Sequence, residues 1–322
     1  MVVSVSAIAE PRSGPPMPDP DVPSAGRGRR ARRPLLLLGA GFVVGAVAGG
    51  AAVGQLLGAP ASPAGTPDVA VTLRPSSDPR SAALSETADA GLPDGVELRP
   101  VDGMTVTIDG TVLERLDIQG CLVIEADGVV VRESRVSCES ESAVIRVTGE
   151  ARGLVVERSE VDGLGRTATC VGSHDFVLVA VEIHSCADGV RANSRTAVLS
   201  SWVHSLTRMD DSHNDAVQTT QGTDIVLRGN VFDATDANGE LLNAAYIVAG
   251  DQGPVERVVL EGNTLIGGNY ALMVGPEVAL LKVLDNEFTG PFRYGPVRGA
   301  DREGSDVEWT GNKVDGRVLE AS

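Results

Sequence analysis

From residue 96 onward, apolar residues come in short β-branched or aliphatic runs that end in polar turns, and no helical period of useful length interrupts them. The runs VVRESRV at 130, VVERSEV at 155, VLVAVEI at 177, AVLSSWV at 197, IVLRGNV at 225, VVLEGNT at 258, LKVLDNE at 281 and VEWTGNK at 307 align with one another. Between them lies a second apolar ladder: Val123, Val144, Val171, Val190, Val217, Ile247, Leu272 and Val297. Both series advance by roughly 25 residues, so each repeat is one coil with at least two strands. That period is too short for a propeller blade, and the Leu/Asn pattern of leucine-rich repeats is missing. The pattern predicts an all-β solenoid of about nine stacked coils over residues 96–322. Asn230, Asn263, Asn286 and Asn312 fall in its turns, where Asn tolerates left-handed backbone and bonds locally, so a structural role is expected for them.

The residues before this body read differently. Residues 35–57 form a 23-residue apolar run with Gln55 as its one polar side chain. As a helix it extends roughly 34 Å, enough to span a bilayer core. Arg27, Arg29, Arg30, Arg32 and Arg33 precede it with no matching cluster after it, which places the N-terminus in the cytoplasm. The expected organisation is a disordered basic tail over 1–33, a transmembrane signal-anchor helix over 34–58, a Pro/Ala/Ser-rich disordered linker over 59–95 and the β domain over 96–322. The domain is then extracytoplasmic on a single-pass membrane protein. A cleaved secretory signal and a twin-arginine signal at Arg32 and Arg33 are the alternatives.

Charge and cysteines narrow the partners. Residues 1–60 hold six Arg and three acids, and the rest of the chain holds 21 basic against 41 acidic residues. So acidic a body lacks the clustered cations that phosphate-backbone binding requires, and nucleic acid is excluded as a partner. Cys121, Cys138, Cys170 and Cys186 all follow the apolar run, and an even count in an exported chain points to disulfides. Three connectivities are open. The short separations favour Cys121 with Cys138 and Cys170 with Cys186, with reduced buried thiols as the alternative.

The segments DGV at 188, HNDAVQ at 213, the RGN, EGN and DNEF turns, GGNY at 267 and YGPV at 294 resemble the right-handed parallel β-helix proteins of the pectate-lyase-like superfamily, of exported actinobacterial type. The resemblance covers residues 96–322 and implies a right-handed parallel β-helix. Its members include lyases, hydrolases and adhesins, so the fold alone does not assign an activity.

The chemistry-bearing residues gather on two consecutive coils. Setting Val190 over Val217 places Asp188 over Asp215 and Arg191 over Gln218, and the preceding strands place His184 over His204. Paired carboxylates split their pKa values, so Asp188, Asp215 and His213 are the candidate acid–base groups. Arg191, Gln218, His204 and His184 are the candidate substrate-binding groups. The alignment expects both carboxylates to face solvent, with a turn at Gly189 directing Asp188 outward. Asp211 and Asp215 are the candidate ligands of a Ca2+, with no cofactor otherwise implied.

The order CADGVRA then HNDAVQT resembles the two acid-bearing coils of polygalacturonase-type hydrolases, with Asp188 and Asp215 at matching positions. Asn214 stands where those enzymes carry a further Asp, and NAAYIVAG and YALMVG stand where they carry Gly-His-Gly and Arg-x-Lys. These departures disfavour polygalacturonate hydrolysis and leave lyase chemistry open. Tyr246, Tyr270 and Tyr294 recur at nearly the coil period and would form a sugar platform outside or a stack inside, with core packing expected. The leading expectation is a membrane-anchored β-helix acting on polysaccharide or cell-wall glycan, lyase- or glycosidase-like. The alternative is a non-catalytic carbohydrate-binding or scaffold module.

Overall fold

The computed structural model describes residues 89–209, 213–301 and 306–321, all within the second of two compact units, Val69–Ser322. The arginine cluster, the expected membrane helix and the linker up to residue 88 lie outside the described residues. Among the described residues no helix is long and apolar enough to cross a membrane.

The described unit is all-β, with every strand in a 9-stranded or a 16-stranded sheet. Named strands pair in parallel except for the last pair, Lys313–Val314 with Arg317–Val318. One coil illustrates the plan. Phe176–Val179 lies in the smaller sheet, Glu182–Ala192 runs through the larger one, and Thr196–Leu199 returns to the smaller sheet one position further on. In the next coil the larger sheet receives two separate strands, Trp202–His204 and Asp215–Thr219. Each coil therefore has three sides, one in the smaller sheet and two flanks in the larger. The parallel stacking is what a β-helix requires.

Corners are set by left-handed residues. Ala180 (φ 53°), Ser185 (φ 60°) and Arg195 (φ 55°) turn the coil just described. Such a backbone costs an L-residue roughly 1–2 kcal/mol. At the first corner the cost is offset by a buried polar row immediately behind it. Asn230, Asn263, Asn286 and Asn312 are each about 1% exposed, and each of the last three accepts the backbone N–H of the Asn one coil earlier, at 3.0, 2.9 and 3.0 Å. Their side-chain N–H groups donate to buried carbonyls such as Leu227 O at 2.9 Å. Ser134, Ser159 and Ser201 continue the row, with Ser134 N–H donating to Ser159 Oγ at 3.1 Å.

The eight aligned runs each begin in a strand of the smaller sheet and end, past a corner, in the first flank of the larger one. Val130 pairs with Val155, Val155 with Val177 and Val177 with Ala197 as expected. Ala197 then pairs with Val226 rather than Ile225, a slip of one residue, after which Ile225, Val258, Leu281 and Val307 stay in line. In the second ladder Val171, Val190, Val217, Leu272 and Val297 share a row. The other members of that row are Leu122, Ile145 and Tyr246, each adjacent to the expected residue.

Inside the coils Val, Ile and Leu dominate, with Phe176, Phe232, Phe288 and Tyr246 among the largest fully buried side chains. Two disulfides, Cys121–Cys138 and Cys170–Cys186, tie adjacent coils together.

Candidate functional site

On the second flank Val190 pairs with Val217 and Arg191 with Gln218, so Asp188 and Asp215 occupy equivalent places on adjacent coils. The structure brings the two acids together, but not facing solvent. Asp215 N–H donates to Asp188 Oδ1 at 3.1 Å, and the Asp188 side chain is only 14% exposed. Asp215 is fully buried; its Oδ1 accepts from Asn243 Nδ2 at 2.8 Å, and its Oδ2 has no hydrogen-bond partner among the described residues. The expectation of two outward carboxylates therefore fails: Gly189 makes no turn but lies inside the strand Glu182–Ala192, and Asp215 is buried with Asn243 of the following coil bonded to it.

Burial raises the pKa of Asp188 to about 6 against the opposing pull of the Asp215 N–H, Arg191 and His213. Burial also raises Asp215 well above the usual carboxylate range, and the charge on Asp188 raises it further, against the pull of Asn243 and the Ala244 N–H. His213 is exposed, and Asn214 is 2% exposed with its amide donating to Ala187 O and Thr207 O. Asn214 thus holds the corner together. Arg191 Nη2 lies 3.8 Å from Asp188 Oδ2 and 3.4 Å from Gln218 Oε1, as the aligned positions imply.

Asp211 lies outside the described residues.

His184 and His204 stack as expected, with ring centroids 5.4 Å apart. They are held by a carboxylate row that sequence reasoning missed. Glu160, Glu182 and Trp202 share one row, and Asp162, His184 and His204 share the next. His184 Nε2 lies 3.3 Å from Glu160 Oε1, and His204 Nε2 lies 3.1 Å from Glu182 Oε1. Trp202 stacks on His204 at 3.7 Å. Burial works against a charged His184, but the Glu160 hydrogen bond and the Asp162, Glu160 and Glu182 charges outweigh it and raise its pKa. Glu160 is lowered by the His184 hydrogen bond and by Arg135 against its own burial. The signal was present in the aligned triplets EVD at 160, EIH at 182 and WVH at 202.

The tyrosines divide. Tyr246 is fully buried, with its hydroxyl 3.1 Å from Thr219 Oγ1, which fits core packing. Tyr270 and Tyr294 instead form a surface pair with centroids 5.7 Å apart; Tyr294 is 67% exposed, and the Arg298 guanidinium lies 5.9 Å from the Tyr270 ring. Tyr270 stands in the row of Asp215 and Ala244, and Gly295, next to Tyr294, extends that row by one coil. Arg191, Gln218, Ile247, Met273 and Arg298 run beside it. No family model, curated protein or solved structure matches this chain, so the roles of these residues rest on their geometry.

Proposed function

We propose that this chain is a membrane-anchored, extracytoplasmic right-handed β-helix of about nine coils, pectate-lyase-like in type, that binds an extended polysaccharide along its second flank. The observation that carries the reading is the surface pair of half-buried Tyr270 and exposed Tyr294 with Arg298 beside it, set in register with Asp188 and Asp215. Aromatic faces with polar edges suit sugar rings, and equivalent positions recur every ~4.8 Å along the stack, so a linear polymer lying parallel to the axis would pass from Tyr270 to the neighbouring Tyr294. Two disulfides support an oxidising compartment. The anchor and its orientation rest on the apolar run and the arginines before it.

Catalysis is the second reading. The raised acid at Asp188 and the unpartnered Oδ2 of Asp215 favour it, since such groups cluster at sites of proton transfer. It ranks second because Asp215 is sealed from solvent and Asp188 spends an oxygen on a backbone N–H. The test is retention of the full chain on immobilised uronic-acid and neutral polysaccharides, for the wild type, Tyr294→Ala and Tyr270→Ala. Loss of retention by at least tenfold in the variants, without product release, supports the binding reading; equal retention rejects it. Unsaturated products or new reducing ends that vanish in Asp188→Asn would install the catalytic reading instead.

A further inference from the structure

We propose that Glu160, Asp162 and His184 form a binding site for a divalent transition-metal ion of the Zn2+ class. One donor atom from each lies within 4.8 Å of the others. Ligands around a tetrahedral Zn2+ sit roughly 3.4 Å apart at bond lengths near 2.1 Å, so only a small closure of side chains is needed. The ion would replace the 3.3 Å contact between His184 Nε2 and Glu160 Oε1.

The surrounding bonds orient all three donors. Arg135 Nε donates to Glu160 Oε2 at 2.9 Å, Leu164 N–H donates to Asp162 Oδ1 at 2.8 Å, and Ser185 Oγ pairs with His184 Nδ1 at 2.8 Å. These bonds leave Glu160 Oε1 and His184 Nε2 facing each other at 3.3 Å; Asp162 Oδ1 lies 3.6 Å from His184 Nδ1, so the Asp162 carboxylate must rotate to bring an oxygen to the ion. Partners of this kind orient metal ligands and set the imidazole tautomer. The donors also stand on a rigid base, since Glu160–Ser173 and Glu182–Ala192 are paired strands joined by Cys170–Cys186.

Charge and access agree. Glu160, Asp162 and Glu182 place three carboxylates around His184, with Arg135 bonded to Glu160. The three donor side chains are 16%, 22% and 18% exposed, so an ion and a bound water have a route in. An imidazole with two carboxylates suits Zn2+, whereas Ca2+ and Mg2+ favour oxygen shells. The site lies on the first flank and does not depend on the glycan stripe of the second.

The full chain should be titrated with Zn2+, and separately with Ca2+, by calorimetry, with Co2+ absorbance as a readout of nitrogen–oxygen ligation. One Zn2+ per chain is expected, weakened at least tenfold by His184→Gln and by Asp162→Asn. Asp162→Asn retains the oxygen that accepts the Leu164 N–H, and its melting curve checks that the fold survives. Absence of Zn2+ binding, undiminished binding in a folded Asp162→Asn protein, or equal affinity for Ca2+ overturns the assignment.

Discussion

Asp188 Oδ1 accepts the backbone N–H of Asp215 across 3.1 Å, so two acids on adjacent coils are joined by a hydrogen bond while their charges repel. Both have raised pKa values, and the sign of the consequence is fixed. Between the unfolded value near 4 and the folded value of about 6, the native state holds more protons at Asp188 than the unfolded chain does, so stability falls as pH rises. The expected loss from pH 4.5 to 7.5 is at most about 3 kcal/mol from Asp188. His184, raised as well, acts in the same direction, so the difference between wild type and Asp188→Asn in urea midpoints reports Asp188 together with the part of the Asp215 shift that its charge causes. A wild-type protein whose pH slope matches that of the variant would reject the coupling.

Asp215→Asn should leave the fold intact and stabilise it at pH 7.5 by roughly 1–2 kcal/mol, because the change removes the cost of holding an ionisable carboxylate in a buried place beside Asp188. The amide oxygen can still accept from Asn243. Denaturant titration decides this, and a destabilisation beyond roughly 2 kcal/mol would mean the carboxylate is itself a structural requirement.

The Asn row makes the opposite case. Asn263→Ala removes the acceptor of Asn230 N–H and of one Asn230 Nδ2 hydrogen, whose other still donates to Val198 O, and removes the side-chain donor to Leu227 O, all in a fully buried site. Each orphaned group costs ~1–3 kcal/mol, so a loss of at least roughly 3 kcal/mol is expected in a urea melt. A cost under roughly 1 kcal/mol would show that water replaces the side chain.

The fold was legible where buried and half-exposed residues alternate strictly. Val130, Val155 and Val177 are half-exposed between fully buried neighbours, and their register followed from pattern alone. It failed where adjacent residues are all buried. Ala143, Val144 and Ile145 are each 8% exposed or less, so hydrophobicity could not choose between Val144 and Ile145. The first flank, with strands as short as Trp202–His204, carried too few residues to declare a third side. At the site, register gave the Asp188–Asp215 and His184–His204 neighbours, since stacking is a matter of counting. Burial of Asp215 was not countable, because it depends on Asn243 one coil away.

The two disulfides should differ in their resistance to reductant. Thiol–disulfide exchange needs an attacking thiolate to reach a sulfur, so access sets the order in the folded protein. Cys170 and Cys186 are both fully buried, whereas Cys121 is partly exposed and Cys138 is 3% exposed. A mild reductant under native conditions, followed by alkylation and a mass-spectrometric digest, should label Cys121 and Cys138 well before Cys170 and Cys186. Opening the inner bridge then requires separating Glu160–Ser173 from Glu182–Ala192, and its rate should track denaturant concentration while that of the outer bridge does not. On the chain-entropy model each bridge contributes ~3 kcal/mol, so loss of the first should lower the urea midpoint without unfolding the coils. Equal labelling of all four cysteines, or earlier labelling of Cys170 and Cys186, would show that the two coils joined by the inner bridge open more readily than their packing implies.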